Sequence, residues 1–298
     1  MKNEYNNTNN KKMEEIMGYR IGFDIGSTTI KAVVLDENNQ ICYKSYERHK
    51  AQVRQKALDK LVELKKYTKE PFKFAISGSG ALGLSEQGEL PFVQEVFASA
   101  TGVSKLYPET DCAIELGGED AKILFFQGSV EQRMNSTCAG GTGAFIDQMA
   151  TLLNMSLEEM NEASLNYHRL YPIASRCGVF AKTDIQPLIN QGVDKCDLCA
   201  SIFQAVVDQT ITSLAQGRKI EGNILFLGGP LYFMSGLRNR FVETLKLSDV
   251  QVNCPDTAIN FVALGTAICA DQEYTYDELY KVLEDLVHAP AKLTESKP

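Results

Sequence analysis

Twice in this chain a short apolar run enters a glycine-containing polar turn and comes straight back as a second apolar run. The first unit is residues 21–25, the turn Gly26-Ser27-Thr28-Thr29 and residues 30–35; Asp36-Glu37-Asn38-Asn39 then leads to a third run, 41–45. The second is 112–116, the turn Gly117-Gly118-Glu119-Asp120 and 121–126, with a third run in 129–134. Short apolar runs bounded by Gly, Ser, Asn and Asp predict strands joined by tight turns. No residue-level repeat survives, but two such meanders with helical stretches between them predict a duplicated α/β unit and a two-lobed architecture.

The remaining elements fit that frame. Val53, Ala57, Leu58, Leu61 and Val62 have helical spacing, 72–76 reads as a strand ending in Ser77-Gly78-Ser79-Gly80, and 89–106 reads as a helix after Pro91. Helices are predicted over 144–153, 157–163, 181–190, 197–216 and 236–244, with strands at 223–227 and 250–253 and a further helix opening at Ala263-Leu264-Gly265-Thr266-Ala267. The expected division is a disordered leader (1–17), a first lobe (18–107, with a return helix at 263–288), a second lobe (108–262), and a linker or truncated end (289–298).

Three strand ends carry residues suited to phosphate. Asp24-Ile25-Gly26-Ser27-Thr28-Thr29 with Lys31 gathers a carboxylate, hydroxyl and N–H donors and a cation around one turn, the set that a nucleotide with Mg2+ asks for. Glu115-Leu116-Gly117-Gly118-Glu119-Asp120 is a second acidic glycine turn, and Gly228-Gly229 after a buried strand is a third place where backbone approaches a ligand closely. Alone, each is also an ordinary turn; the three together in this order point to a nucleotide.

Two thiols stand at predicted helix starts. Asn135-Ser136-Thr137-Cys138-Ala139-Gly140-Gly141-Thr142-Gly143 leads into the helical pattern Phe145, Met149, Leu152, Leu153, and Ser175-Arg176-Cys177-Gly178 leads into Phe180, Ile185, Leu188. Unpaired N–H groups and the helix dipole stabilise a thiolate in such a place and suit it to a metal or an anion. Eight cysteines without an export signal point to a reducing, cytoplasmic setting and not to a disulfide framework. Cys42, Cys112 and Cys269 lie in apolar runs and read as core residues, and Cys196 and Cys199 as structural thiols on a helix start capped by Asp194. His168 reads as surface, and Arg238 and Arg240 as helix-face charges. The net charge of −8 (30 − 38) disfavours a nucleic-acid partner, and no apolar run of about 18 residues suggests a membrane span.

With these motifs in place, the chain resembles the actin-like and sugar-kinase-like ATPase superfamily, which implies duplicated ribonuclease-H-like lobes, the second (108–262) carrying nucleotide and cluster motifs. Asp24-Ile-Gly-Ser-Thr-Thr, Glu115-Leu-Gly-Gly-Glu-Asp-Ala-Lys122, Phe226-Leu-Gly-Gly229 and Ala263-Leu-Gly-Thr-Ala267 look like its phosphate-1, phosphate-2, adenosine and second connecting motifs. Within it, the stretches around Cys138 and Cys177 resemble the activators of 2-hydroxyacyl-CoA dehydratases and the ATPase subunits of benzoyl-CoA reductase. The likeness runs from about Gly18 to Asp271 and is above all to the activase module that opens long fused CoA-substrate-specific enzyme activases.

The resemblance implies a homodimer holding one 4Fe-4S cluster, with Cys138 and Cys177 contributed by each chain. It implies ATP with Mg2+ held by Asp24, phosphates cradled by Gly26, Ser27, Thr28, Thr29 and Lys31, and Gly117, Gly118, Gly141, Thr142, Gly143, Gly228 and Gly229 lining the nucleotide. Glu115 and Glu119 would hold Mg2+ or polarise the attacking water; the stand-alone activators usually carry Asp and Gln at these positions. The implied partners are an iron–sulfur dehydratase or reductase, possibly in the same longer chain, and reduced ferredoxin or flavodoxin as electron donor. Two other readings fit the same superfamily, a small-molecule kinase and a non-catalytic nucleotide-dependent assembly module.

Overall fold

The computed structural model describes residues 18–69, 71–135, 140–174 and 178–290. The expected leader 1–17, the end after 290, Cys138 and Cys177 lie outside the described residues. Strands β1 (Arg20–Ile25), β2 (Thr29–Leu35) and β3 (Ile41–Arg48) form an antiparallel meander; helix α1 (Val53–Glu63) returns the chain to β4 (Phe72–Ser77), which lies parallel to β1. Then come α2 (Leu82–Gly88) and α3 (Glu95–Leu106). The second meander is β5 (Cys112–Leu116), β6 (Ala121–Phe125) and β7 (Glu131–Asn135). It is followed by α4 (Gly143–Leu153), α5 (Leu157–Ser164), α6 (Gly178–Asn190) and α7 (Lys195–Thr210), and by β8 (Ile224–Leu227), parallel to β5. Helices α8 (Gly229–Phe233) and α9 (Ser235–Leu245), strand β9 (Val252–Asn253), α10 (Phe261–Cys269), β10 (Glu273–Tyr274) and α11 (Tyr276–His288) complete the chain.

The two sheets share one plan. Their strand orders are β10-β4-β1-β2-β3 and β7-β6-β5-β8-β9, so each has a meander, a fourth strand parallel to the first and a short edge strand beyond it. The duplication read from the two turns is therefore a duplication of topology. One core lies around β1, β2 and β4 with α1 and α11; a second lies around β5, β6 and β8 with α4 and α7. A third cluster joins Val33 and Leu35 of β2 to Ala113, Leu124, Leu225 and Leu227 of the second sheet, through Phe261, Ala263, Leu264 and Ala267 of α10.

Helix α10 is apolar all round and buried along nearly its whole length, as a helix between two layers must be. Its neighbours reach it because two crossings are made at glycine. A Cβ on Gly22 would lie 2.3 Å from the Ala263 carbonyl oxygen, and one on Gly265 would lie 2.0 Å from that of Ala98 on α3.

Local differences from the sequence reading have physical causes. The stretch 263–288 is not one helix: the chain is extended at Ala270 and adds β10 to the edge of β4 before α11 begins. Helix α3 starts at Glu95, because residues 91–93 bridge to β4, with Ile76 N–H donating to Pro91 O and Val93 N–H to Ile76 O. Cys42 is exposed, since β3 is an edge strand, while Cys112 is buried and Cys269 is half-buried. Arg240 is not a surface charge: it is buried, with Nε donating to Gln204 and Nη1 to Glu243 and Tyr167. His168 is exposed, as read. Asp194 caps α7 by accepting from Cys196 N–H at 2.7 Å, and burial pushes the Cys199 thiol up to about 12.

Helix α7 runs on into a π-helical turn (Ile211–Ala215), and together they are 21 residues long and apolar enough to cross a membrane. Two-thirds of that stretch is packed inside the protein, where it forms the second core. Helix α11 is anchored by a capping box, Thr275 with Glu278, and buries Leu279, Leu283 and Leu286 in the first core. Thr275→Ala should therefore cost about 1 kcal/mol, and thermal unfolding should read it as a fall in Tm of roughly 2–4 °C.

Candidate nucleotide site and the cysteine-bearing helix starts

Asp24 lies one residue before the end of β1, buried, and Lys31 stands opposite it in the β1–β2 register. The Lys31 ammonium donates to Asp24 Oδ2 at 2.8 Å. Gly26 N–H donates to Thr29 O at 2.9 Å and closes the turn, which leaves Ser27 and Thr28 exposed at its tip and Thr29 buried at its foot. Burial works against the Lys31 charge, but Asp24, Tyr46 and Glu115 more than compensate and hold its pKa above the ordinary lysine value. Glu115 belongs to the other sheet, so the two sheets meet electrostatically at this point.

The second turn faces the first. A Cβ on Gly118 would lie 3.8 Å from Thr28 Oγ1. Gly117 N–H donates to Asp120 O at 2.8 Å; Gly143 N–H donates to Gly117 O at 3.0 Å and Ala144 N–H to Gly118 O at 2.8 Å. Two of the N–H groups that a helix start leaves unpaired thus hold this turn in place. Gly143 also packs against the third turn, since a Cβ there would be 3.3 Å from Pro230 Cγ. Gly228 has φ +87°, and a Cβ on it would lie 2.0 Å from Leu116 O, so only glycine lets β8 end against the tip of β5. Gly229 opens α8 directly after it.

The structure thus brings Asp24, the turn Gly26–Thr29, Lys31, Glu115, Gly117, Gly118, Glu119, Gly143, Gly228 and Gly229 to one place. Gly141 turns the other way: a Cβ there would lie 3.3 Å from Thr210 Oγ1 on α7, and Thr142 beside it is fully buried.

The electrostatic centre of the site is a group the sequence did not single out. Lys122 of β6 is 3% exposed and is surrounded by three carboxylates: Asp120 at 2.8 Å, Glu115 at 3.7 Å, and Glu95 from the first turn of α3 in direct contact. Burial opposes the ammonium, yet the three acids raise its pKa well above the usual lysine value. Glu115 is itself buried, and burial, aided by Asp120, Glu95 and Asp24, raises its carboxyl above the normal range against the pull of Lys122. Ser99 of α3 donates to Glu115 Oε2 at 3.3 Å. Glu119 is exposed at the tip of the turn. Glu95, Ser99 and the buried His49 behind the first turn were missed, and nothing local in sequence flags them, because their partners lie 16 to 27 residues away.

Cys138 and Cys177 lie outside the described residues, but their flanks do not. A Cβ on Gly178, which opens α6, would lie 2.9 Å from Gln148 Oε1 of α4, so the two helices that follow the thiols pack together near their starts. Val179 and Phe180, immediately after, are 70% and 63% exposed. Among the described residues, no group of three or more His, Cys, Asp or Glu side chains is arranged to hold a metal ion.

The chain is 27% identical over 266 residues to the 2-hydroxyisocaproyl-CoA dehydratase activator of Clostridioides difficile, covering 87% of this chain and 96% of that one. It is 28% identical over 257 residues to the (R)-2-hydroxyglutaryl-CoA dehydratase activating ATPase of Acidaminococcus fermentans, covering 85% and 96%. Among solved structures, component A of the (R)-2-hydroxyglutaryl-CoA dehydratase from A. fermentans superposes with a TM-score of 0.75 at 25% identity, over 90% of this chain and 99% of that one. The activator of the 2-hydroxyisocaproyl-CoA dehydratase from Clostridium difficile, with bound ADPNP, gives 0.73 at 25% identity over 93% and 100%. These neighbours and the duplicated sheets give the two-lobed actin-like ATPase fold. Residues 21–270 match the BadF/BadG/BcrA/BcrD ATPase family, and the chain belongs to it.

Proposed function

We propose that this chain is an ATP-dependent reductive activator: it binds Mg-ATP between its two sheets and, as a homodimer, delivers single electrons to an iron–sulfur dehydratase or reductase. The observation that carries the nucleotide half is the approach of the Thr28 turn to the Gly118 turn, with Asp24, Lys31 and Glu115 around it. The relative with bound ADPNP has the same fold and supports it. In this reading Asp24 would hold Mg2+, and Ser27, Thr28 and Lys31 would bind the phosphates. Gly118, Gly143, Gly228 and Gly229 let backbone run close to the nucleotide. The buried Glu115, its carboxyl pKa raised, would take a proton from the attacking water, and the exposed Glu119, at the tip of the same turn, would orient that water or a bound metal's hydration shell.

Cys138 and Cys177 fit a 4Fe-4S cluster by number and by their place in the sequence, each shortly before a helix. A four-thiolate cluster needs two chains when each offers Cys138 and Cys177, and the helices after them pack side by side. Once bound, the cluster would supply one-electron transfer. The exposed Val179 and Phe180 next to Cys177 give such a dimer an apolar surface to bury. We assign 18–107 with 263–288 to one lobe and 108–262 to the other, on the grounds that Leu279, Leu283 and Leu286 share a core with β1 and β4. Reduced ferredoxin or flavodoxin in the cytoplasm would be the electron source.

Anaerobic purification tests this reading. The wild type should be a brown dimer with about four iron and four sulfide per dimer. Cys177→Ala should lose nearly all of the iron while keeping ATP turnover. A colourless monomer that phosphorylates a small molecule would support a kinase instead.

A further inference from the structure

Behind the Gly26–Thr28 turn sits His49, the residue that follows β3. It is 3% exposed and touches the turn twice. Its backbone N–H donates to Thr28 O at 3.2 Å, and its ring Nε2 lies 3.0 Å from Gly26 O. The ring's other nitrogen, Nδ1, accepts from Ala51 N–H at 3.2 Å. An Nδ1 that accepts carries no proton, so the neutral ring has its proton on Nε2 and donates it to the Gly26 carbonyl.

The loop is bent to make that arrangement. Lys50 (φ 49°) and Ala51 (φ 62°) are consecutive non-glycine residues in the left-handed region, and Gln52 N–H returns to His49 O at 2.8 Å. Strained backbone of this kind persists where its surroundings over-determine it, and it gathers at ligand clamps. The Gly26 carbonyl is confined from a second side as well, because a Cβ on Gly80 would lie 2.7 Å from it.

We propose that His49 is a positioning residue for the nucleotide turn: through Nε2–H and its backbone N–H it holds the Gly26 and Thr28 carbonyls, and so presets the turn for an anionic phosphate. This rests on the nucleotide reading above. A turn of this size is most easily lost by rotation of the Gly26–Ser27 peptide, which would swing the carbonyl away from His49 and bring its negative end towards the phosphate side. The imidazole opposes that rotation before any nucleotide arrives, which lowers the ordering that binding must supply.

Two substitutions separate this role from simple packing. In His49→Asn the side-chain amide occupies the place of Nδ1 and can still serve Ala51 N–H, but it cannot reach Gly26. In His49→Gln the amide N–H occupies the place of Nε2 and can still donate to Gly26. The measurements are KM and kcat for ATP hydrolysis by the dimer, with Tm recorded for each protein. His49→Asn should raise KM for ATP about five- to tenfold, the worth of one lost hydrogen bond, with kcat within about twofold of wild type. His49→Gln should return KM to within about two- to threefold. Equal KM values for wild type and His49→Asn overturn the inference, and so does a Gln variant as impaired as the Asn variant. A wild type that neither binds nor hydrolyses ATP overturns the nucleotide reading and this inference with it; one that does, alongside an unaffected Asn variant, overturns only the role of His49.

Discussion

Lys122→Met should lower folding stability by about 3–5 kcal/mol, the typical cost of removing one partner from a buried charge cluster. One ammonium serves three carboxylates here, and Glu115 and Lys122 are both buried. Without the lysine, Glu115 keeps its burial and the repulsion of Asp120, Glu95 and Asp24, so its already raised pKa rises further. A carboxyl whose folded pKa exceeds its unfolded value of about 4.3 contributes stability that is full below that value and is lost as pH rises through the folded pKa. The variant should therefore be relatively best folded in mild acid and lose stability more steeply than wild type as pH rises above the ordinary carboxylate range. Urea unfolding at several pH values reads both effects. Glu95→Gln, which leaves Lys122 two carboxylates, should cost less. A Lys122→Met protein within about 1 kcal/mol of wild type and with the same pH slope would mean that the cluster is open to water.

Asp24→Asn should lower ATP turnover by about 10²–10³-fold, the usual effect of removing one preorganised charge from a phosphate-processing site. The carboxylate is buried at a strand end, fixed by Lys31 at 2.8 Å, and crowded by the chain at Gly78, where a Cβ would come within 2.7 Å of its Oδ1. It has little freedom to be replaced in position by another group. The amide keeps the shape but loses the negative charge that, in the proposed function, would draw hydrated Mg2+, and it weakens the hold on Lys31. Lys31→Met is the matching control, since it removes the cation and keeps Asp24. ATPase assays over a range of Mg2+ concentrations decide the point: the loss in Asp24→Asn should shrink as Mg2+ rises if the carboxylate acts on the metal, and should be independent of Mg2+ if Asp24 only anchors Lys31.

Much of this was legible in sequence because it depends on short-range patterns. Both meanders were visible as apolar runs around glycine turns, and the glycine turns that the fold brings together were visible because each is contiguous. What escaped was decided by tertiary contact. Arg240 reads as a helix-face charge until Gln204 and Tyr167 arrive from other elements. Cys42 sits in an apolar run, Ile41-Cys42-Tyr43, yet that run lies on an edge strand. Glu95 falls inside the stretch 89–106 read as a helix, where nothing local singles it out, and only the fold brings it to Lys122. The break between α10 and α11 was hidden because both flanks are helical in composition and the intervening strand is two residues long.

That last helix sets the order in which the protein can be made. The first hydrophobic core contains Ile21 and Phe74 but also Leu279, Leu283 and Leu286. A ribosome adding roughly 5–20 residues per second needs on the order of 10–40 s to pass from β4 to α11. Throughout that interval Phe72, Phe74 and their neighbours wait without their covering helix, while the second core gains the last of its buried members, Phe241, before α11 begins. The nascent chain should thus settle its second core first and offer its earliest strands to chaperones until α11 has been made.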